Sequence, residues 1–179
     1  MSDDLPATLS RVWTILHAGV TDAKAPARFI TLATVGQHGA EARLLVLRAA
    51  DEVNATVTFH TDARTAKVAE IAANPNATAL IWDPAERFQI RLRLTLTIRP
   101  GTAEEWSALS HTNQHLYGGT PAPGAPLDTP EAHTITPDAT HFAVLTGSIT
   151  EIETLHLGQP HRRARFSRDT AFAGQWITP

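Results

Sequence analysis

The sequence predicts a mainly β protein, an antiparallel barrel with a few helices at its periphery. Three observations predict it. Residues 88–100 alternate Ile90, Leu92, Leu94, Leu96 and Ile98 with Arg91, Arg93, Thr95, Thr97 and Arg99, the period of a half-buried strand. Phe29–Val35 and Ala42–Ala49 flank Gly36-Gln37-His38-Gly39, a hairpin signal. Helical patterns are too few, and strand patterns too clustered, for the regular alternation of a doubly wound sheet.

The elements follow in order. Within an N-terminal helical segment spanning residues 1–22, residues 5–20 repeat Leu9, Val12, Trp13, Leu16 and Val20 at helical spacing. Pro6 suits the first turn, and Asp3 and Asp4 suit the positive helix end. After the hairpin, Val57–Thr61 reads as a third strand. Thr61–Ala73 reads as a helix, with Asp62 its N-cap and Asn74-Pro75 its stop. Ala77–Asp83 is the next strand, turned by Asp83-Pro84 into the long alternating one. Residues 102–116 read as one helix opened by a capping box, Thr102 with Glu105. Residues 118–140, rich in Gly, Pro, Thr and Asp, read as a long loop, and such loops in compact domains are often functional. Residues 141–157 read as a strand pair or one long bent strand. The chain closes on a hairpin around Arg162–Arg168 and Gly174–Pro179.

Composition narrows the chemistry. A chain of 179 residues is one ordinary domain, and 42% hydrophobic residues suffice for a core. With no cysteine there is no disulfide, thiolate nucleophile or cysteine-held metal. A net charge of −3 gives no general attraction to nucleic acid or anionic membrane, so any anion site must be a local cluster of Arg and Lys. No apolar run approaches the roughly 20 residues of a membrane span. A soluble cytoplasmic protein, bound to neither nucleic acid nor membrane, is the expectation. No nucleophile-elbow pattern supports hydrolase chemistry. His111 and His115 are four apart on the expected helix, a spacing one metal can bridge, but no third ligand is evident and no metal is expected.

One cluster does fit an anion. Arg43 and Arg48 lie in one strand and, five apart, leave opposite faces of it. That alone also describes two surface charges. Just downstream, Thr61, Thr65 and Lys67 surround an expected helix start, where free N–H groups and the helix dipole favour a phosphate. No glycine-rich loop is present there.

These stretches resemble a family. Arg43-Leu44-Leu45-Val46-Leu47-Arg48, Phe59-His60-Thr61-Asp62, Thr65-Ala66-Lys67, Asn74-Pro75 and Glu86-Arg87-Phe88-Gln89-Ile90 follow, in order and at compatible spacing, motifs of the pyridoxamine 5'-phosphate oxidase superfamily. Gln159-Pro160-His161-Arg162-Arg163, Phe166 and Trp176 follow its C-terminal pattern. The resemblance runs from about Arg28 to the end. It implies an FMN-binding split β-barrel and a homodimer with FMN between subunits. By position, Arg43 and Lys67 would bind the FMN phosphate, with Thr61 and Thr65 near it. The backbone of Leu45 and Val46 would line the flavin, Gln89 would meet its ring or ribityl chain, and Arg163 would be the C-terminal contact. Leu44, Arg48, His60 and Ala66 fill the remaining cofactor-motif positions, and Arg48 and His161 match substrate-side positions.

The departures are specific. Arg48 replaces a Lys, His60 a Tyr, Ala66 an Arg, Gln159 an Arg and Arg162 an Asp. The helix whose Tyr, Arg and Ser grip the substrate phosphate in the true oxidases offers Trp106, Ser110 and Gln114. The resemblance therefore implies an FMN-dependent oxidoreductase acting on a small molecule other than pyridoxamine 5'-phosphate. The alternatives are a non-catalytic flavin-binding or flavin-sensing protein, or a split barrel for another cofactor such as a deazaflavin or haem.

Overall fold

The computed structural model describes residues 4–179; Asp3, expected at the positive helix end, lies outside the described residues. The elements are α1 (Leu5–Thr21), β1 (Phe29–Gly36), β2 (Gly39–Asp51), β3 (Thr56–Asp62), α2 (Ala66–Ala73), β4 (Asn76–Asp83), β5 (Phe88–Pro100), α3 (Ala103–Ser107), α4 (His111–Gln114), β6 (Gly119–Thr120), β7 (Thr134–Ile135), β8 (Phe142–His156), β9 (Arg162–Ser167) and β10 (Gly174–Ile177). Every paired strand in the main sheet is antiparallel. The order β8-β3-β2-β1-β4-β5 closes on itself through β5–β8, a six-stranded barrel, and β9 and β10 extend from β8.

The barrel is filled as the alternation requires. Ile90, Leu92, Leu94 and Leu96 of β5 are at most 3% exposed, and they meet Ile30, Leu32, Leu47, Val57, Phe59, Ile81, Leu145 and Ile149. Gly147 is needed where strands crowd, since a Cβ there would lie 3.0 Å from Leu94 and 3.2 Å from Leu96. Helix α1 is capped by the Asp4 side chain, which accepts from Ala7 N–H at 2.8 Å, and it buries Val12, Trp13 and Leu16 against the barrel.

Residues 141–157 hold one long strand, β8, rather than a pair. Its start, Phe142-Ala143-Val144-Leu145, is buried on both faces. Ala143 and Leu145 point into the barrel. Phe142 and Val144 point outward into a second apolar cluster with Tyr117, Trp106 and Leu109. That cluster explains why the run is continuously apolar where β5 alternates.

Three local expectations need correction. Helix α2 begins at Ala66 with Thr65 as N-cap, whereas Asp62 ends β3. The Asp62 carboxylate accepts from the Arg64 backbone and side chain, so the segment after β3 is a turn rather than a helical one. Residues 102–116 are not one helix. The capping box of Thr102 and Glu105 opens α3, but Ser110 caps a new start by accepting from Asn113 N–H, which breaks the run into two. Third, the long loop of 118–140 carries the two-residue pair β6–β7. Among the described residues no helix is long and apolar enough to cross a membrane.

Candidate functional site

The residues singled out from sequence fall into three groups, because neighbouring positions on a strand face opposite ways. The first group lies at one end of the barrel interior. Arg43 stands opposite Leu32 and on its face. Its guanidinium donates to Thr34 Oγ1 and pairs with Glu70 of α2 at 2.8 Å. Lys67, one turn before Glu70, donates to Thr61 Oγ1 at 3.1 Å and Thr65 Oγ1 at 3.0 Å. Thr61 is brought there by the strand period, opposite Ala143, and is 4% exposed.

The electrostatics of this cradle suit an oxyanion. Burial pushes the Lys67 ammonium below its ordinary value, and the Arg43 charge pushes it further the same way. Two cations close enough to repel each other share one carboxylate, Glu70, which leaves an excess positive charge. The hydroxyls take two of the three ammonium N–H groups. The start of α2 adds free N–H groups and a partial positive charge to that excess, and the combined donor set fits a phosphate. Ala66 is exposed at the first position of α2 and has no side chain to add to it.

The turn that shapes the cradle also ties down the long loop. Arg64 grips Asp62 through two nitrogens, at 3.0 and 2.7 Å, and donates to the Gly119 carbonyl at 2.9 Å. Burial raises the Asp62 carboxyl, but the Arg64 hydrogen bonds outweigh it and hold the group below the usual carboxylate range. Arg64→Ala should therefore loosen the loop while the barrel stays folded. Limited proteolysis should cut residues 118–138 at least several-fold faster in the variant, with an unchanged circular dichroism spectrum. Equal cutting rates would show that the clasp holds nothing.

The second group faces outward on the other side of β2 and β3. His60 stands opposite Val144, and its ring meets Phe142 edge-on at 4.9 Å. Arg48 sits at a register shift between Leu47 and Ala49, within reach of the Tyr117 hydroxyl. Burial, and then the Arg48 charge, push the His60 imidazole down to about 4. The unfolded chain, with an ordinary His value near 6.5, binds more protons between these values. Stability is thus full above pH ~6.5 and falls as pH drops toward 4. For this half-buried group the loss is on the order of 1–2 kcal/mol after allowing for solvent. His60→Gln should flatten that part of the melting-temperature profile; a profile like the parent's would assign the acid lability elsewhere.

The third group lies on the outer face of the sheet. Gln89 stands opposite Trp82 and Leu155, and Leu155 opposite Arg163. Arg163 pairs with Glu153 at 2.9 Å, and Arg91 pairs with the same carboxylate at 2.8 Å. Glu153 is 4% exposed, so two arginines neutralise one buried charge. The face continues across Leu80, Thr31 and Leu44, with Phe29 and Val46 beyond. Phe29, Leu44 and Trp82 are exposed by 56%, 64% and 43%. Leu45 turns inward against the core. His161 is exposed just before β9.

The sequence reading missed Glu70, Tyr117 and Glu153. Glu70 is three residues after Lys67 on α2, a spacing that signals proximity. Glu153 follows from alternation along β8. Tyr117 carried no signal, since it lies past the break at Ser110. Among the described residues no three His, Asp or Glu side chains gather as a metal site. The His111 and His115 rings meet edge-to-face at 4.3 Å, with His115 Nδ1 held by the His111 carbonyl.

A closed six-stranded antiparallel barrel with peripheral helices is the architecture of the split-barrel flavoproteins. Residues 10–100 match the family described as pyridoxamine 5'-phosphate oxidase, FMN-binding domain, and the chain belongs to that family. It is similar to a pyridoxamine 5'-phosphate oxidase-related, FMN-binding protein from Nostoc punctiforme PCC 73102, at 26% identity and a TM-score of 0.76, over 95% of this chain and 96% of that one. PhzG from Burkholderia lata 383, in complex with tetrahydrophenazine-1-carboxylic acid, shares the fold at 20% identity and a TM-score of 0.71, over 97% and 92% of the two chains. So does a protein related to general stress protein 26 from Clostridium acetobutylicum, at 13% identity and a TM-score of 0.65, over 94% and 99%. No curated protein matches the chain in sequence.

Proposed function

We propose that this protein is a homodimeric FMN-dependent oxidoreductase that acts on a small molecule other than pyridoxamine 5'-phosphate. The observation that carries the reading is the cradle, with a half-buried lysine and an arginine repelling each other beside two threonine hydroxyls. Lys67 and Arg43 hold the phosphate by charge, and Thr61 and Thr65 orient the ammonium toward it. The bound flavin supplies the redox chemistry, and the chain supplies binding, orientation and electrostatics.

Placement of the residues supports a shared site. Arg43 and Lys67 face the end of the barrel interior, whereas Gln89 and Arg163 face outward beside Trp82 and Leu80. One small cofactor reaches both sets when the second set comes from another copy of the chain. The exposed Phe29, Leu44, Leu80 and Trp82 form an apolar face that such a copy would cover. On the substrate side, Trp106, Ser110 and Gln114 replace the phosphate-gripping residues of the true oxidases, which argues against turnover of pyridoxamine 5'-phosphate.

Releasing the cofactor by denaturation and weighing it tests the reading. FMN, about one per chain, is expected, together with a dimer on sedimentation. FAD, or no flavin after reconstitution with excess FMN, overturns it. Steady oxidation of pyridoxamine 5'-phosphate at about one turnover per second, an ordinary enzymatic rate, overturns the substrate assignment.

A further inference from the structure

The arginines of this chain are almost all spoken for. Arg11, Arg43, Arg64, Arg91, Arg93, Arg99, Arg163 and Arg165 each hold a carboxylate. Arg28 and Arg168 bind backbone carbonyls. Arg48 differs. It is half-buried, it takes part in no ion pair among the described residues, and its Nε is buried without a hydrogen-bond partner. The Nδ1 of His60 beside it is buried and unpartnered too. A half-buried guanidinium with a buried, unused donor is costly unless an anion completes it.

Its surroundings define that anion. Tyr117, 4% exposed, presents its hydroxyl to Arg48, and burial raises that phenol so it stays protonated as a donor. Phe142 packs against Tyr117 at 5.0 Å and against Trp106 at 5.9 Å. Trp106 and His60 are the part-exposed rings. The other charges nearby cancel: Arg99 holds Glu105 at 2.6 Å, and Arg64 holds Asp62 at 2.7 Å. His60, held far below its ordinary value, is neutral at pH 7. The net charge on offer is one. A phosphate monoester carries about −1.5 to −2 at neutral pH, which one arginine leaves half unpaired. A carboxylate carries one charge and matches the guanidinium fork in two parallel hydrogen bonds.

We propose that Arg48, set among His60, Trp106, Tyr117 and Phe142, is the subsite for the carboxylate of a flat, unsaturated organic acid. The ring lies against Trp106 and His60, and the Tyr117 hydroxyl donates to the same carboxylate. This rests on the proposed oxidoreductase reading only for its link to a flavin, because the acid binds Arg48 whether or not the cofactor is present.

Calorimetric titration of the FMN-loaded protein, and of the same protein freed of FMN, tests the subsite with three probes: 2-naphthoate, 2-naphthyl phosphate and cyclohexanecarboxylate. At pH 7.5, 2-naphthoate should bind at least tenfold more tightly than either of the others and should quench tryptophan fluorescence. Arg48→Gln should lose tenfold or more of that affinity, since charge-assisted hydrogen bonds typically carry this much. Tyr117→Phe, which keeps the ring packing, should lose less, about three- to tenfold. The proposal is overturned if naphthyl phosphate binds as tightly as naphthoate, if Arg48→Gln binds naphthoate like the parent, or if no probe binds at millimolar concentration. A chain that carries no FMN yet binds naphthoate through Arg48 would sink the flavin reading and leave the subsite standing.

Discussion

Lys67→Ala should weaken FMN binding about ten- to a hundredfold, the worth of one charge-assisted hydrogen bond, roughly 1.5–3 kcal/mol. Arg43→Ala should cost more. Arg43 neutralises Glu70 at 2.8 Å, so its removal takes a cation from the phosphate and also leaves a carboxylate without its counter-charge, held by the Thr34 hydroxyl. The double variant Arg43→Ala/Glu70→Gln should therefore recover part of the loss, a sign opposite to simple additivity. Lys67→Ala/Glu70→Gln should recover less, because Lys67 bonds to Thr61 and Thr65 rather than to Glu70. Arg87→Ala is the control. Arg87 lies in the turn between β4 and β5, with its carbonyl bonded to Leu157 N–H, away from the cradle. Fluorescence titration of FMN into each variant reads all of these. If Arg43→Ala and Lys67→Ala both bind FMN like the parent, the phosphate does not sit here.

What the sequence made legible was periodic. Strand β5 was readable because ten consecutive positions within it, from Ile90 to Arg99, alternate without exception. The Thr102–Glu105 capping box was readable because its partners are three apart. Illegible features arose where a short side chain chose between two backbone roles. Asp62 looks like an N-cap but binds Arg64, and Ser110 looks like a helical residue but caps a new helix. The site was legible as a set of motif positions but not as three separate places. Alternation divides Arg43 from Arg48 and Thr61 from His60, yet the strand's own period does not say which face is barrel interior. That assignment came only with closure of β5 on β8. Tyr117 and the unpaired state of Arg48 depend on loop packing, for which no local pattern exists.

Phe29→Asp should dissociate the proposed dimer and, with it, release most of the bound FMN. Phe29 opens β1 on the outward face, opposite Val46, two residues up from the row of Leu44, Thr31 and Leu80. It is 56% exposed in the single chain, and a second copy seated on this face would bury it. A two-fold interface repeats each substitution, so two unpaired carboxylates would enter one apolar contact. Burying even one unpaired charge costs several kcal/mol, enough to shift a micromolar equilibrium to monomer. Phe29 faces away from Arg43 and Lys67, so the variant keeps its cradle. FMN loss would then trace to the missing Gln89 and Arg163 of the second copy, and raising FMN should restore binding without restoring the dimer. Val53→Asp, at a turn position 93% exposed and remote from this face, should change neither property. Sedimentation and flavin absorbance on the same samples decide it. A Phe29→Asp protein that stays dimeric places the interface elsewhere. One that becomes monomeric yet holds FMN as tightly as the parent shows that each chain binds its flavin alone.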